Sequence, residues 1–399
     1  MLTLEEARER ILGGAQRTAG ERIPLADAAG RVLVESRFVA RVDVPPFANS
    51  AMDGFAIRSP DAPGPLRVIG ESHAGTAAPP PVDAGTAVRI MTGAPIPDGA
   101  DAVVPVEDAS ENGSVVTVPT TVDRGTHVRA AGHDTRAGDE VCVPNPLTPA
   151  GIAVLASLGI AEVDVHRRPV VAILSTGDEL AAPGTPLGPG RIYDANGIAL
   201  AAAVAEAGGS AVVLDRAADD ETQIEHTLAR AAADADLVIA SGGVSVGQRD
   251  FVRAVLEVRG TLDFWRIAVQ PGKPLAVGSL DGATVIGLPG NPVSALVAFE
   301  LFARPLIRAM HGLAGDGRLH LPAIAGARMP KDTSRRAFLR VALAAVDCAM
   351  VATPAGGQAS SQLRPLADAD ALLVVPEGID AAEEGAPYEA IVLGEVRAA

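Results

Sequence analysis

The strongest constraint on the fold is the alternation of short apolar segments with helical segments between residues 169 and 310. Strands and helices that alternate along a chain predict a parallel sheet with helices packed on both faces. In such sheets, ligands bind at the carboxyl ends of the strands. The predicted strands are 170–174, 211–214, 237–240 and segments near 264–269 and 283–287, and the predicted helices are 197–207, 220–233, 251–258 and a long helix that ends near 310.

The flanking regions follow other patterns. A capping box of Thr3 and Glu6 predicts a helix over 3–17, and Thr148 followed by Pro149 predicts a second helix over 149–158. Elsewhere, short β-like runs separated by Pro and Gly predict one β-rich region and one small all-β domain. The runs are 67–70, 87–91 and 114–118 within 30–145, and 338–344, 372–375 and 388–393 within 321–399.

Composition limits the classes of partner. The 399 residues are enough for about two to four domains, and the formal net charge is −16. Nucleic acids and anionic membranes select for basic surfaces, so neither is expected as a partner. The cysteines, Cys142 and Cys348, lie too far apart in sequence for a zinc or redox motif. We find neither a signal-peptide core nor a membrane-spanning apolar stretch, and therefore expect a cytoplasmic protein.

Three loops follow predicted strands and suit anions. Residues 241–247 (SGGVSVG, the glycine loop) allow close backbone approach to a phosphate at a helix start, although a tight turn is the structural alternative. Residues 271–274 (PGKP, the lysine loop) hold Lys273 between two prolines, as either a fixed cation or a solvated side chain. Residues 289–292 (PGNP, the asparagine loop) open a helix near Ser294. The P-loop and dinucleotide-binding motifs do not occur.

Acidic residues also lie at predicted strand ends, with Asp178 and Glu179 after one strand, Asp219 and Asp220 after another, and Asp250 just past the glycine loop. Carboxylates grouped near phosphates usually hold Mg²⁺. Asp219 and Asp220 also begin a predicted helix, so helix capping is an alternative role for them. Together with the three loops, the acids favour phosphoryl or nucleotidyl chemistry.

Motifs along nearly the whole chain extend this interpretation. They are PPFANSAMDGFAIR at 45–58, RIMTGA at 89–94, STGDEL at 175–180, YDAN at 193–196, SGGVSVG at 241–247, PGKP at 271–274 and LPGNPVSA at 288–295. In this content and order the sequence resembles the molybdopterin molybdenumtransferase (MoeA) family, to which the E domain of gephyrin also belongs.

The resemblance implies an elongated, four-domain homodimer. Its parts would be an N-terminal linking domain (1–40 plus 144–170), an inserted β-rich domain (41–143), a three-layer α/β domain of the molybdopterin-binding type (171–315) and a small C-terminal β-barrel-like domain (316–399). The site would lie where the α/β domain of one subunit faces the inserted domain of the other. Asp53 and Thr92 would then serve the partner's active site.

The resemblance also implies a reaction in which molybdate and adenylylated molybdopterin give molybdenum cofactor and AMP. Molybdate would be held by Lys273, Ser294, Arg340 and Ser360. The pterin phosphate and AMP would be bound by Gly242, Gly243, Ser245 and Gly247, and the asparagine loop would add Pro289, Asn291 and Pro292 to cofactor binding. Asp219 and Asp250 would hold Mg²⁺. Glu179 and Asp134 would be further acids of the cleft.

Three positions depart from the family pattern. Gln270 precedes the lysine loop where many members have Lys, Arg266 stands where others carry Lys, and Ala337 replaces a frequent Glu. Gln270 can form hydrogen bonds but carries no charge, so we expect a weaker or differently filled oxyanion site.

Other functions remain open from the sequence. A molybdopterin adenylyltransferase or a nicotinamide-nucleotide amidohydrolase could use a related α/β domain, and a gephyrin-like scaffold would need no catalysis. The adenylyltransferase is also the expected upstream partner of the family's reaction. Molybdate and tungstate are similar tetrahedral dianions, and the sequence does not choose between them.

Overall fold

A computed structural model describes residues 1–75, 77–216, 220–243 and 251–394. The chain divides into two compact units, Arg22–Val165 and a unit made of Met1–Glu21 with His166–Ala399. Among the described residues, no helix combines the length and apolar character needed to cross a bilayer.

The helices and strands have the following bounds. The helices are α1 (Leu4–Gly13), α2 (Pro149–Ser157), α3 (Ala195–Glu206), α4 (Glu221–Asp234), α5 (Phe251–Arg259), α6 (Pro292–Ala298), α7 (Arg304–Met310) and α8 (Arg364–Ala367), with a π-helical segment (Phe299–Ala303) between α6 and α7. The first strands are β1 (Gly20–Pro24), β2 (Arg37–Val39), β3 (Asn49–Ser50), β4 (Gly54–Ile57), β5 (Gly64–Ser72), β6 (Thr86–Ile90), β7 (Ala102–Pro105), β8 (Ser110–Asn112), β9 (Val115–Val118), β10 (Val128–Arg129), β11 (Glu140–Cys142) and β12 (Glu162–His166). The later strands are β13 (Val170–Ser175), β14 (Leu180–Ala181), β15 (Ile192–Tyr193), β16 (Ser210–Val213), β17 (Leu237–Ser241), β18 (Thr261–Trp265), β19 (Val269–Gln270), β20 (Ala276–Leu280), β21 (Ala283–Leu288), β22 (His320–Ala325), β23 (Met329–Pro330), β24 (Arg336–Val346), β25 (Ala349–Pro354), β26 (Ala371–Val375), β27 (Ala381–Ala382) and β28 (Pro387–Val392).

The unit Arg22–Val165 is built on a sheet with strand order β7-β4-β6-β5-β9-β8. Phe55, Leu66 and Val116 are buried on one of its faces. Helix α2 begins where the sequence predicts, because the Thr148 side chain accepts a hydrogen bond from the Gly151 N–H. Its Leu155 packs in a separate core with Leu33 and others. The predicted β-like runs match β5, β6 and β9 to within one residue at the ends of β6 and β9, so the β-rich character of this region is confirmed.

The larger unit contains the predicted α/β sheet, with strand order β16-β13-β17-β21-β20-β18. Successive residues of β13 face opposite sides, so Ile173 packs with α3 and α6 whereas Leu174 packs with α4 and α5. The sheet is therefore covered by helices on both faces, as predicted. On the Ile173 side, α1 also contributes Leu4, Ala7 and Ile11 to the core.

Two local predictions are wrong. The sheet is not parallel throughout, because β20 runs antiparallel to both β21 and β18. Only Asp281 and Gly282, both at positive φ, join β20 to β21, and such a short link can connect only antiparallel strands. Helix α1 has the predicted capping box but ends at Gly13, because the Gly13-Gly14 pair stops it before residue 17.

The C-terminal strands form a closed barrel, as predicted. The order is β24-β25-β22-β28-β26, and a further pairing of β26 with β24 closes the ring. Strand β19, just before the lysine loop, adds to this barrel by pairing in parallel with β24. The lysine loop is therefore anchored to the barrel at one end and to β20 of the α/β sheet at the other.

Candidate functional site

The carboxyl ends of β13, β17 and β21 lie side by side. Ser175, Ser241 and Leu288 are register partners across these strands. The Thr176 N–H donates to the Ser241 carbonyl and the Gly242 N–H donates to the Leu288 carbonyl, both at 3.1 Å. The structure thus brings together the starts of the loops after these strands, including Ser241–Gly243 of the glycine loop and the asparagine loop.

The start of the glycine loop requires glycine for steric reasons. Gly242 has φ +97°, and a Cβ there would lie 2.7 Å from Thr176 Oγ1 and 2.8 Å from the Thr176 carbonyl oxygen. Gly243 also has a positive φ, of +67°. The backbone is therefore open to close approach at this strand end. The predicted residues Ser245, Gly247, Asp219 and Asp250 lie outside the described residues.

Glu179 is exposed beside the same strand ends. A Cβ on Gly177 would lie 2.7 Å from Glu179 Oε2, so the carboxylate folds over the backbone that follows β13. By contrast, Asp220 caps α4, with its Oδ1 accepting from the Gln223 N–H at 2.8 Å. This supports the capping alternative for Asp220.

Asn196 is a residue of this edge to which the sequence analysis assigns no role. Its Nδ2 donates to Ser241 Oγ and to the Gly290 carbonyl oxygen, both at 2.8 Å. It lies in the first turn of α3, which Asp194 caps by accepting from the Gly197 N–H. The YDAN motif is visible in the sequence, but the two atoms that accept hydrogen bonds from the Asn196 amide belong to residues 45 and 94 positions further along the chain.

The side chain of Lys273 is exposed, and its ammonium group forms no hydrogen bond or ion pair within the described part of the chain, although its backbone carbonyl accepts from the Ile267 N–H. Its loop is stiff, since the rings of Pro271 and Pro274 fix the φ angles on either side of Gly272 and Lys273. A Cβ on Gly272 would lie 3.6 Å from the carbonyl oxygen of Ser294, so the lysine loop packs on the start of α6. Ser294 itself is buried. The lysine loop and α6 therefore present an unpaired cation next to the asparagine loop.

The two neutral departures from the family pattern are neighbours. Gln270 and Ala337 are register partners across β19 and β24. Gln270 Oε1 accepts a hydrogen bond from the Asp332 N–H at 3.1 Å, and Ala337 is wholly buried in the barrel core. A lysine at 270 could not accept that bond. In this chain, position 270 thus joins the lysine loop to the barrel.

The barrel contributes a loop, residues 356–362, which we call the serine loop. Ser360 Oγ accepts from Asn291 Nδ2 at 3.2 Å, which connects the serine loop to the asparagine loop. Arg340 is only 1% exposed and donates to the carbonyl oxygens of Gly357 and Ala359 at 2.9 and 3.1 Å. Burial lowers the pKa of its guanidinium. Arg340 thus stabilises the serine loop through hydrogen bonds to its backbone. A contact between Arg340 and molybdate stays a prediction.

In the unit Arg22–Val165, Asp53 and Thr92 lie in direct contact. Asp53 Oδ1 accepts from the Thr92 N–H at 2.6 Å and from Thr92 Oγ1 at 2.8 Å. These two hydrogen bonds lower the pKa of the exposed Asp53 carboxyl group. The bonds Ser50 N–H to Ala94 O and Gly93 N–H to Ser50 O also join the motifs at 45–58 and 89–94.

Exposed apolar side chains belong to the same two motifs as Asp53 and Thr92. Phe47, Met52 and Met91 are 46%, 38% and 38% exposed. Asp134 is also exposed, and its N–H donates to the carbonyl of Val44 just before the first motif. Its carboxylate makes no hydrogen bond within the described ranges.

A resident metal has no complete ligand set among the described residues, which contain no cluster of three or more His, Cys, Asp and Glu side chains able to hold one. The predicted Mg²⁺ ligands Asp219 and Asp250 are not among the described residues, and their role stays a prediction. The described residues of the site supply a cation, amide and hydroxyl groups and open backbone, a donor set suited to anions.

Comparison with known proteins covers most of the chain. Three family models match in order, the MoeA N-terminal region (domain I and II) at 2–159, a probable molybdopterin binding domain at 172–309, and the MoeA C-terminal region (domain IV) at 322–393. The class is thus a multidomain α/β enzyme of molybdenum cofactor biosynthesis.

Relatives define the family. The molybdopterin molybdenumtransferase 2 of Mycobacterium tuberculosis is 42% identical over 371 residues, covering 90% of this chain and 91% of the relative. That of Haemophilus influenzae is 42% identical over 346 residues and covers 85% of each chain. A crystal structure of the molybdopterin biosynthesis MoeA protein from Pyrococcus horikoshii has a TM-score of 0.81 at 29% identity, covering 98% of this chain and 100% of that one. The chain belongs to the molybdopterin molybdenumtransferase (MoeA) family, and it is a transferase.

Proposed function

We propose that this enzyme transfers molybdenum from molybdate to adenylylated molybdopterin, releasing AMP and forming molybdenum cofactor. The observation that carries the proposal is the exposed, unpaired ammonium group of Lys273 on a loop that packs against the start of α6, next to the asparagine loop, with the start of the glycine loop at the end of the neighbouring strand. The match of residues 172–309 to a probable molybdopterin binding domain supports the same substrate class.

The proposed reaction balances in two parts. Molybdate and the two thiols of the dithiolene form two Mo–S bonds, and one oxo group leaves as water with the two thiol protons. One water cleaves the phosphoanhydride, so that AMP leaves and the pterin keeps its phosphate. The net reaction neither consumes nor releases water, and no atom is oxidised or reduced.

Different groups among the described residues would bind different parts of the two substrates. Because Gly242 and Gly243 have no side chains, the backbone there would allow the phosphoanhydride to approach closely. The Lys273 ammonium would neutralise the molybdate dianion, with the hydroxyl groups of Ser294 and Ser360 and the amide of Asn291 as neutral donors. Glu179 would be an acid at the rim of this site.

The test measures AMP release from adenylylated molybdopterin with and without molybdate. We expect release that depends on molybdate. If the wild-type enzyme releases no AMP with either molybdate or tungstate, the proposed reaction is wrong. Removal of Mg²⁺ by a chelator and the substitution Asp250→Ala test the proposed metal requirement separately, since both should abolish release.

We also propose a homodimer in which Asp53 and Thr92 of one subunit complete the site of the other. The exposed apolar side chains of Phe47, Met52 and Met91, in the same two motifs as Asp53 and Thr92, support coverage of this surface by another protein. Mixing inactive Asp53→Ala and Lys273→Ala proteins should restore about a quarter of wild-type activity, because half of the dimers would be mixed and each would have one intact site. No recovery after verified subunit exchange would contradict a shared site.

A molybdopterin adenylyltransferase is the proposed upstream partner, because the substrate must arrive with its AMP group attached. Supplying that enzyme with ATP and molybdopterin should replace purified adenylylated substrate in the AMP-release assay. A failure of this coupled reaction, with the purified substrate still active, would point to another donor.

A further inference from the structure

One amide nitrogen joins two loops of the site. Asn196 Nδ2 donates at 2.8 Å both to Ser241 Oγ, at the start of the glycine loop, and to the carbonyl oxygen of Gly290, in the asparagine loop. An Asn Nδ2 has two hydrogens, so it can satisfy both acceptors at once. The two loops follow different strands, β17 and β21, and Asn196 belongs to neither.

Asn196 is itself held on a fixed base. Asp194 accepts from the Gly197 N–H at 2.9 Å, and its own N–H donates to the carbonyl of Ala181 at 2.9 Å. The hydroxyl group of Tyr193 donates to the carbonyl of Thr185 at 2.9 Å. Leu200 and Val204, further along α3, are fully buried. The amide therefore has little freedom to follow the loops if they move.

The loops approach each other without an intervening side chain. A Cβ on Gly290 would lie 3.8 Å from the Cα of Gly242, so these segments are in backbone contact. The ladder of β17 and β21 ends with the bond from the Gly242 N–H to the Leu288 carbonyl. Beyond that bond, the Asn196 amide supplies a polar connection that reaches both segments.

We propose that Asn196 is a positioning residue, which fixes the separation between the start of the glycine loop, at Ser241 and Gly242, and the asparagine loop so that phosphate and oxyanion are bound in one geometry. This inference rests on the proposed function for its substrate, the phosphoanhydride of adenylylated molybdopterin. The hydrogen-bond geometry itself is independent of that substrate.

The test uses two substitutions at this position. Asn196→Ala removes both hydrogen bonds. Asn196→Asp keeps the shape and can still accept from the Ser241 hydroxyl, but it places a carboxylate oxygen against the Gly290 carbonyl oxygen. Asn145→Ala is the matched control, because Asn145 also joins segments by its amide, donating to the Leu33 carbonyl at 3.1 Å and accepting from the Leu33 N–H at 2.8 Å.

The first measurement is hydrogen exchange of the ligand-free protein. We expect the Gly242 amide to exchange at least about tenfold faster in both Asn196 variants, because each variant loses the bond to Gly290 and one hydrogen bond changes local opening by about that factor. Exchange at Gly242 should stay at the wild-type rate in Asn145→Ala. An unchanged rate in the Asn196 variants, or an equal rise in the control, would overturn the proposal.

The second measurement is the KM for adenylylated molybdopterin in AMP release. We expect a rise of about tenfold for Asn196→Ala and a larger rise for Asn196→Asp, with kcat less affected, whereas Asn145→Ala should lower thermal stability and leave the KM unchanged. A wild-type KM in both Asn196 variants would exclude a positioning role. An inactive wild-type enzyme would instead disprove the proposed function, and the exchange measurement would still decide the role of Asn196.

Discussion

The two compact units carry their chemically important residues in different ways. In the larger unit, strand-end loops are joined by hydrogen bonds from Asn196, from Asn291 and from the buried Arg340. In the unit Arg22–Val165, Asp53 is exposed on a loop and contacts Thr92, and both residues lie in motifs with exposed apolar side chains.

This difference determines whether a substitution changes activity alone or changes both activity and stability. A buried side chain that bonds to loop carbonyls leaves unpaired acceptors when it is removed, so its loss affects both folding and binding. An exposed side chain can be replaced at little cost in stability. Substitutions in the two units should therefore change activity and stability in different proportions.

The largest effect is expected for Lys273→Ala. Loss of a fixed cation that faces the oxyanion should lower kcat/KM for molybdate by about 100-fold to 1000-fold, with no change in stability. The chain has one other lysine, Lys331, whose Nζ donates to the carbonyls of Asp332 and Arg335 at 3.0 and 2.6 Å. Lys331→Ala should cost about 1 kcal/mol of stability and leave kcat/KM nearly unchanged. Equal loss of activity in the two variants would show that overall charge, not Lys273, matters.

Asp53 should give the next largest effect. Asp53→Asn should lower AMP release by about 100-fold without a change in melting temperature, because the side chain is exposed. Its hydrogen bonds lower the pKa of the carboxyl group, so the carboxylate form persists as the pH falls. Thr92→Val removes one of these bonds, so the acidic limb of the pH–rate profile should move to higher pH. Thr126→Val, which removes a hydroxyl bonded to the Asp123 carbonyl in the same unit, should leave the profile unchanged.

Arg340 should behave in the opposite way from Asp53. Arg340→Met leaves the carbonyls of Gly357 and Ala359 without their donors, so we expect a loss of about 2 kcal/mol of stability and a higher KM for molybdate. Ser360→Ala should raise that KM without the loss of stability. Urea denaturation and AMP release measured on both variants test this. A Ser360→Ala protein as unstable as Arg340→Met would contradict the assignment of Arg340 as the support of the serine loop.

The smallest effect concerns His320 at the start of the barrel. Its Nδ1 lies 2.5 Å from Glu389 Oε1 and its Nε2 lies 3.0 Å from Asp316 Oδ2. Burial alone would lower the pKa of His320, but the hydrogen bonds and charges of these carboxylates raise it overall. A raised pKa stabilises the fold below the unfolded-state pKa, and this contribution is lost as the pH rises through the folded-state pKa.

The expected size is below about 1 kcal/mol, because the pair is partly exposed. Denaturation of wild-type protein between about pH 6 and pH 8 should show the decline with rising pH, and His320→Gln should reduce it. A decline of the same size in His320→Gln would assign it to another group.

Local sequence signals predicted much of the fold. The capping box of α1, the cap of α2, the strands of the barrel and the helices on both faces of the α/β sheet follow from patterns that span only a few residues. The antiparallel edge was also encoded locally, in the Asp281-Gly282 turn, but the alternation of strands and helices around it favoured a parallel interpretation.

The site was less accessible from sequence because its contacts join distant positions. Asn196 bonds to Gly290, 94 residues away, and Arg340 bonds to a loop that no periodic pattern connects with it. The pairing of Gln270 with Ala337 likewise depends on β19 joining the barrel. Such contacts depend on tertiary packing, for which a single sequence has no local signature.

Closure of the barrel has a consequence for synthesis of the chain. Strand β26 pairs with both β24 and β28, so the ring is complete only when residues 371–392 are available. Until then, β24 and β22 have edges with unpaired backbone groups, which can pair with other chains. The C-terminal barrel can therefore close only after residues 371–392 have left the ribosome, and a nascent chain stopped before β26 would be prone to aggregation.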